Sequence, residues 1–268
     1  NRYCFRLKLF VIFTKSKQID MKKYVPNALT LLNLLCGSIA VILAVNSNFV
    51  TAALFVFLGI FFDFFDGFAA RKLKVQSELG LQLDSLADVV TSGVVPGIIM
   101  YKLLALTLES EMVSVTSWAS NSSGIEFNLP TLPLLGLLIT LASAYRLAKF
   151  NLDEDQQTYF KGLPTPANTL LIISLPLIIE FQNNDAINTI ILNKWFLIGL
   201  TFLSCYLLNS GIKLFALKFK NYSFKGNATR YIFIILCLVL LIVLKFAAIP
   251  IIILLYISMS VLDNLTSK

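Results

Sequence analysis

The sequence predicts an all-α fold, that of a polytopic helical membrane protein with about eight transmembrane helices. Hydrophobic residues make up 57% of the 268 positions and charged residues only 14%, against roughly 25% in soluble domains. The mean hydropathy is +0.79. A soluble fold could not bury this much apolar surface, so lipid must solvate much of the chain.

Long apolar stretches rich in Leu, Ile and Phe are the predicted membrane spans. A helix needs about 20 apolar residues to cross a bilayer, whereas a spanning barrel would show alternation over about ten residues. The last two stretches lie so close together that they predict a tight helical hairpin. The stretches are roughly 27–45, 50–66, 84–106, 131–150, 164–181, 195–216, 229–246 and 247–263.

The chain is expected to form one membrane domain over residues 21–268. Residues 1–20 are interpreted as a leader or a mis-called start without function, because Met21-Lys22-Lys23 looks like a native start. The apolar segment 7–13 within them is too short to span a membrane.

The charges of the connecting segments predict the orientation. The formal net charge is +7, and the basic residues gather beside apolar stretches, where they meet anionic lipid rather than nucleic acid. Under the positive-inside rule both termini are cytoplasmic, and Lys245 is the one exception to the alternation. The predicted cytoplasmic segments are 67–80, 146–163 and 213–230, and the predicted outer ones are 46–50, 108–130 and 181–194.

The absence of histidine excludes several kinds of site. The sequence contains none, so Ser-His-Asp and Cys-His catalysis, His-ligated metals and haem are excluded. The cysteines form no CxxC pair, which argues against zinc and redox motifs. They are expected to act as small hydrophobic residues. They are Cys4, Cys36, Cys205 and Cys237.

Four aspartates flank the link between the second and third stretches. Asp63 and Asp66 are spaced i, i+3 near the end of one stretch, and Asp84 and Asp88 are spaced i, i+4 at the start of the next. Each pair therefore shares one helix face. The short basic link makes the two helices antiparallel neighbours. The four carboxylates are thus predicted to converge at one depth, just inside the membrane.

Converging carboxylates lose hydration and repel one another, and divalent cations would offset that cost. Oxygen-only ligands suit Mg²⁺, Mn²⁺ or Ca²⁺. Four carboxylates could hold two metal ions, which is the arrangement that stabilises the attacking and leaving oxygens in phosphoryl transfer. The alternative is that the carboxylates are simply paired with Lys or Arg.

Small residues accompany the aspartates. Gly67 and Ala70 lie one turn apart and would leave a shallow notch where a base or a phosphate can approach the backbone, and Gly80 would do the same on the facing segment. The guanidinium of Arg71 can bind two phosphate oxygens at once. The alternative is that the glycines and the alanine only serve helix packing.

The pattern D-x2-D-G-x2-A-R-x8-G-x3-D-x3-D, which runs from Asp63 to Asp88, resembles the signature of the CDP-alcohol phosphatidyltransferase family at every fixed position. The resemblance implies a six-helix membrane core, here with two C-terminal helices added, usually dimeric and open to the cytoplasm. It implies that Asp63, Asp66 and Asp84 are metal ligands and that Asp88 is both a ligand and the general base. The residues implied to bind CDP-diacylglycerol are Asn27, Thr30, Gly67, Ala70, Arg71 and Gly80.

Three further segments resemble one branch of that family, the CDP-diacylglycerol–serine O-phosphatidyltransferases. They are P-N-A-L-T-L-L-N-L-L-C-G at 26–37, Y-R-L-A-K-F-N at 145–151 and F-K-G-L-P-T-P-A at 160–167. Two residues depart from the branch: Lys149 replaces an arginine, which keeps the charge but loses the bidentate fork, and Asn168 replaces a small apolar residue.

The resemblance implies transfer of the phosphatidyl group of CDP-diacylglycerol to L-serine, giving phosphatidylserine and CMP. Arg146, Lys149 and Asn151 are the predicted acceptor-binding residues, and the cofactor is expected to be two Mg²⁺ or Mn²⁺ ions, with Ca²⁺ able to occupy a site. The enzyme is expected to be a homodimer among membrane lipids, in a bacterial inner membrane.

Two alternatives stay open. The first is the same chemistry with glycerol 3-phosphate or inositol phosphate as the acceptor. The second is a non-catalytic, ion-translocating bundle. An ion path would need polar residues across the whole bilayer. Such residues are instead predicted to stop at its cytoplasmic third and to be almost absent from the stretches 164–181, 229–246 and 247–263.

Overall fold

The computed structural model describes residues 2–109, 131–152, 160–182, 184–214 and 224–266. Nearly all of them are helical, which confirms the predicted fold class. The α-helices are α1 Arg2–Val45, α2 Phe49–Leu73, α3 Glu78–Asp88, α4 Val95–Glu109, α5 Leu138–Leu152, α6 Thr165–Gln182, α7 Asp185–Ile191, α8 Lys194–Asn209, α9 Phe224–Leu244 and α10 Ala248–Thr266. Short 3₁₀ turns, Pro133–Leu137 and Lys245–Ala247, precede α5 and α10, and two short strands pair, β1 Phe160–Lys161 with β2 Lys213–Leu214.

Within the described ranges, six helical runs are long and apolar enough to cross a membrane, and the bent pair α7–α8 could add a seventh crossing. The last run contains α9 and α10. These two helices fold back on each other, as the distance of 5.6 Å between the ring centres of Phe233 and Tyr256 shows. Lys245 makes the reversal with a positive φ of 49°. The tight hairpin that the sequence predicted is therefore present, and it divides this run into two helices.

Helices α1 and α2 form a close hairpin in which small side chains let the backbones approach. The buried alanines Ala40 and Ala44 of α1 pack in one apolar cluster with Ala52 and Ala53 of α2. Small residues are what allow helices to associate in lipid, where no hydrophobic force drives them together. At the far end, α2 stops at Lys74, whose left-handed conformation ends the helix.

The third span begins earlier than predicted and is not uniformly α-helical. It starts at Glu78 rather than near residue 84, because Ser77 caps the helix by accepting a hydrogen bond from Gly80 N at 3.1 Å. Asp84 and Asp88 consequently lie two to three turns inside the helix rather than at its start. Directly after Asp88 the helix widens into a π-helix, Val89–Val94, before α4 continues. Such π segments often mark functional sites.

The predicted span 195–216 is wrong at its end. Helix α8 stops at Asn209 because the segment around Gly162 docks on it. Leu163 N donates to Leu207 O at 2.8 Å, and Gly162 N donates to Ile212 O at 2.9 Å. Gly162 has a φ of +73°, and an added Cβ would lie 2.5 Å from Leu208 O, so only glycine fits.

Two other predictions need correction. The predicted outer loop 181–194 contains the short helix α7, which Asn184 caps by accepting hydrogen bonds from two backbone amides. Helix α6, expected to hold almost no polar residues, buries Thr165, Asn168, Thr169 and Ser174. Residues 110–130 of the predicted outer loop 108–130, which contain no Lys or Arg, lie outside the described residues.

Candidate functional site

The aspartates of the signature converge as predicted. Asp63 and Asp66 project from α2, and Asp84 projects from α3. One carboxylate oxygen from each of the three lies within 4.8 Å of the others. The four-residue link at 74–77 produces this meeting, because it makes α2 and α3 neighbours at this end of the bundle.

Asp88 belongs to the same group but sits behind it. It is only 9% exposed, and its side chain interacts with that of Asp63, which lies between Asp84 and Asp88. Asn33 of α1 donates a hydrogen bond from Nδ2 to Asp88 Oδ1 at 3.2 Å. Asp63 therefore connects Asp88 to the other carboxylates, and both Asp66 and Asp88 are buried.

The donor set fits a divalent cation. Asp84 Oδ1 is buried and has no hydrogen-bond partner among the described residues, which is costly unless a ligand satisfies it. Carboxylate oxygens are the ligands that Mg²⁺, Mn²⁺ and Ca²⁺ prefer. Asp63, Asp66 and Asp84 form the tight group, and Asp88 adjoins it through its contact with Asp63.

A cavity of about 470 Å³ opens beside the aspartates. All six residues predicted to bind the nucleotide-linked lipid line it, and so do two of the four aspartates. The structure thus brings together residues from α1, α2 and α3 around one space. These lining residues are Asn27, Thr30, Asp66, Gly67, Ala70, Arg71, Gly80 and Asp84.

The two signature glycines make room for polar side chains at the cavity wall. An added Cβ at Gly67 would lie 3.4 Å from a terminal nitrogen of Arg71, so the guanidinium folds back over the α2 backbone. An added Cβ at Gly80 would lie 3.2 Å from Ser77 Oγ and 3.3 Å from Asn27 Oδ1. A methyl group at Gly80 would therefore crowd Asn27, which the sequence placed in the same pocket.

Thr30 contacts an aspartate rather than only lining the cavity. Its hydroxyl lies 2.5 Å from Asp66 Oδ2 and 3.1 Å from Pro26 O, and it donates to one of these acceptors at a time. A hydrogen bond to a carboxylate is the stronger of the two kinds. Thr30 consequently fixes the orientation of Asp66 at the place where the aspartate cluster meets the cavity.

The three predicted acceptor residues do not form one group. Arg146 is 8% exposed, interacts electrostatically with Asp88 and lies 5.9 Å from the centre of the Phe150 ring. Lys149 is exposed, although it lines a small second pocket with Arg146. Asn151 is turned toward α3, where its Nδ2 donates to Ser85 Oγ at 2.9 Å. Of the three, Arg146 is the one that faces Asp88.

Asn33 and Thr91 contact the site, and sequence reasoning did not single them out as site residues. Asn33 is fully buried, accepts a hydrogen bond from Thr91 Oγ1 at 2.8 Å and donates to Asp88. A usable signal exists, since Asn27, Thr30 and Asn33 follow one another at intervals of three in an apolar helix. This spacing places polar groups on one helix face.

Comparison with known proteins identifies the class of membrane protein that this fold and site define. The sequence model of the CDP-alcohol phosphatidyltransferase family matches residues 23–206. The chain belongs to the CDP-alcohol phosphatidyltransferase family. The match includes α2 and α3, with all four aspartates, and most of α8.

Two of the relatives carry the same enzyme name. The chain is 35% identical over 156 residues to the CDP-diacylglycerol–serine O-phosphatidyltransferase of Bacillus subtilis, which covers 57% of this chain and 75% of the relative. It is 30% identical over 193 residues to the protein of the same name from Methanocaldococcus jannaschii, covering 72% and 75%. An archaetidylserine synthase of Methanothermobacter thermautotrophicus is 29% identical over 161 residues, covering 59% and 60%.

Proposed function

We propose that this protein transfers the phosphatidyl group of CDP-diacylglycerol to the hydroxyl of L-serine, giving phosphatidylserine and CMP in phospholipid synthesis. The names of the relatives support this substrate pair. The observation that carries the proposal is that one cavity is lined both by the predicted nucleotide-binding residues and by Asp66 and Asp84 of the carboxylate cluster. A nucleotide-linked phosphate in that cavity would lie against the cluster.

In the proposed reaction the lipid substrate occupies the cavity and the acceptor approaches from the Arg146 side. Arg71, at the cavity wall, would hold phosphate oxygens of the diphosphate. Gly67 and Gly80 leave space for the nucleotide close to the backbone. Arg146, buried near Asp88, would bind the serine carboxylate through a charge-assisted hydrogen bond, which brings the serine hydroxyl toward Asp88.

The bond changes follow from this placement. The serine oxygen forms a bond to the phosphorus that carries diacylglycerol, and the bond from that phosphorus to the bridging oxygen breaks. CMP leaves with the bridging oxygen, and Asp88 accepts the proton of the serine hydroxyl. A carboxylate is a weak base for an alcohol, so positioning and charge stabilisation must supply most of the reduction in the barrier.

The family is generally dependent on divalent metals. Asp63, Asp66 and Asp84 would hold a first Mg²⁺ or Mn²⁺ ion, and Asp88 would take part in holding a second. Bound there, the ions would neutralise charge that develops on the phosphate oxygens. Ca²⁺ is a further cation that this oxygen-only ligand set could accept.

The cellular setting is part of the same proposal. The protein is an integral membrane protein, and a bacterial inner membrane with the aspartates on the cytoplasmic side fits the basic segments near that end of the bundle. A homodimer is proposed by analogy with the family. The cytoplasmic orientation would give the site access to soluble serine.

One observation favours a second acceptor class. Arg146, Lys149 and Lys161 together line the small second pocket beside the site. Three cations around one pocket suit a phosphorylated alcohol such as glycerol 3-phosphate or inositol phosphate better than they suit serine. The pocket itself is only about 20 Å³, about enough for one water molecule, so an acceptor there would require the Lys161 segment to move.

An acceptor comparison tests the proposal. Purified protein in mixed micelles receives CDP-diacylglycerol, Mn²⁺ or Mg²⁺ and one of three acceptors, and CMP release is measured. Serine-dependent CMP release that greatly exceeds release with either phosphorylated alcohol is expected. Faster CMP release with a phosphorylated alcohol than with serine would show that this alcohol is the acceptor. No CMP release with any acceptor would contradict the catalytic proposal.

A further inference from the structure

The residues immediately around Asp88 form a connected set of hydrogen bonds that the proposed reaction does not yet explain. Asp88 lies at the end of α3, and the π-helix begins with the next residue. Thr91, one turn further, projects back toward α1 and donates to Asn33 Oδ1 at 2.8 Å. Asn33 in turn donates from Nδ2 to Asp88 Oδ1 at 3.2 Å.

The direction of each hydrogen bond is fixed by the acceptor at its end. An ionised carboxylate only accepts hydrogen bonds, so the amide of Asn33 must present its NH₂ group to Asp88. Its carbonyl oxygen then faces Thr91, whose hydroxyl has two acceptors on the same residue, Asn33 Oδ1 at 2.8 Å and Asn33 O at 3.2 Å, and Oδ1 is the nearer. If the amide were reversed, two acceptor oxygens would face each other in a buried environment, which is costly.

The surrounding backbone is shaped to enclose this pair. An added Cβ at Gly37 of α1 would overlap Thr91 Oγ1 and lie 3.0 Å from Thr91 Cα. An added Cβ at Gly59 of α2 would lie 2.8 Å from Thr91 Cγ2 and 2.9 Å from Asn33 Oδ1. Glycines on two different helices thus leave the space that the Thr91–Asn33 contact occupies.

Hydroxyl groups of two neighbouring helices lie within hydrogen-bond distance of carbonyls in the π-helix. A wider turn disrupts the regular i to i−4 pairing, and unsatisfied carbonyls are costly inside a membrane. Thr140 of α5 donates to Gly93 O at 3.0 Å. The Thr169 hydroxyl of α6 lies 3.0 Å from Ser92 O and 2.9 Å from Thr165 O, and it donates to one of these acceptors at a time. The π-helix is therefore anchored on two sides while Thr91 reaches α1 on a third.

We propose that Asn33 and Thr91 are positioning residues for the reaction, in which Thr91 fixes the Asn33 amide and the amide holds Asp88 Oδ1, leaving Oδ2 for the acceptor hydroxyl. This inference rests on the proposed function, since it explains how Asp88 is oriented to accept the proton of the acceptor hydroxyl. Neither residue contacts the cavity beside the aspartates. Their effect should consequently be on turnover rather than on binding of CDP-diacylglycerol.

The test compares Thr91→Val, which keeps the shape but loses the donor, with Thr91→Ser, which keeps the donor. Asn33→Ala and the double variant Asn33→Ala/Thr91→Val complete a cycle. Asn33→Ala is expected to lower kcat roughly ten- to a hundredfold, as for loss of a hydrogen bond to a charged group. Thr91→Val is expected to lower kcat by about tenfold, with both KM values within about twofold of wild type. Thr91→Ser is expected to recover most of kcat.

Non-additivity is the decisive readout. If Thr91 acts through Asn33, then Thr91→Val changes kcat little once Asn33 is alanine. Additive losses in the double variant, equal losses in Thr91→Ser and Thr91→Val, unchanged kcat in Thr91→Val, or losses that appear in KM instead of kcat would overturn the inference. Thermal midpoints measured on all variants separate turnover from folding. Failure of the wild type to release CMP with any acceptor would instead contradict the proposed function.

Discussion

Replacing Arg146 tests which substrate the buried cation binds. The side chain is 8% exposed and interacts with Asp88, whereas the residues lining the large cavity do not include it. A charge-assisted hydrogen bond from such a group contributes about 1.5–3 kcal/mol. Because 1.4 kcal/mol corresponds to about a factor of ten, Arg146→Ala should raise the KM for serine roughly ten- to a hundredfold, with far less change in the KM for CDP-diacylglycerol.

Three further variants make this measurement specific. Arg146→Lys keeps the charge but loses the planar fork, so an intermediate KM is expected. Lys149→Ala should have a smaller effect, because an exposed ion pair contributes little. Lys72→Ala is the control. Lys72 is an exposed cation near the C-terminal end of α2 and lines neither pocket, so this variant should behave as wild type.

The assay is steady-state CMP release with each substrate varied in turn, on protein that elutes as a folded species. An unchanged serine KM in Arg146→Ala would refute the assignment of Arg146 to the acceptor. A raised KM for CDP-diacylglycerol with an unchanged serine KM would show that Arg146 binds the lipid diphosphate. In that case the physical reason for preferring serine would be lost, and only the relatives' names would support it.

Other predictions follow from the cluster, the link and the close helix contacts. Chelation with EDTA should abolish CMP release and Mn²⁺ or Mg²⁺ should restore it; full activity without metal would contradict the ligand assignment. In a variant without native cysteines, Gln76→Cys should be labelled only after permeabilisation and Asp185→Cys from outside, and the reverse pattern would invert the orientation. Gly37→Ala should lower the thermal midpoint, because overpacking costs about 1–3 kcal/mol. Gly199→Ala has open space around the added methyl group and should not lower it; equal midpoints in the two variants would refute the close contact at Gly37.

The aspartate cluster could be predicted from the sequence because it depends on short-range geometry. Spacings of three and four residues fix one helix face, and a link of four residues fixes the relative direction of α2 and α3. The cavity residues from α1, α2 and α3 were predicted by resemblance, and they do surround one space.

What the sequence could not give depends on contacts between distant helices. The end of α8 at Asn209 was missed because Ile212 and Leu214 continue the apolar pattern. A hydropathy pattern does not reveal that the amides of Gly162 and Leu163 donate hydrogen bonds to backbone carbonyls at the end of α8 and just after it. The contact of Thr91 with Asn33 was missed for a related reason, since a π-helix rotates the following residues relative to an α-helix and has no simple sequence signal.

The arrangement of α1 and α2 explains how the fold tolerates four carboxylates at one end. Asp63, Asp66, Asp84 and Asp88 repel one another, and this repulsion tends to separate α2 from α3 at the end where the carboxylates lie. At the other end of the α1–α2 hairpin, buried alanines pack the two backbones closely in an apolar cluster. Close packing of small residues is the main source of helix association in lipid. The hairpin can therefore hold α2 against α1 while Thr30 and Asn33, both on α1, each donate a hydrogen bond to an aspartate, one on α2 and one on α3. Helix α1 thus acts as the common support that keeps the two carboxylate pairs together.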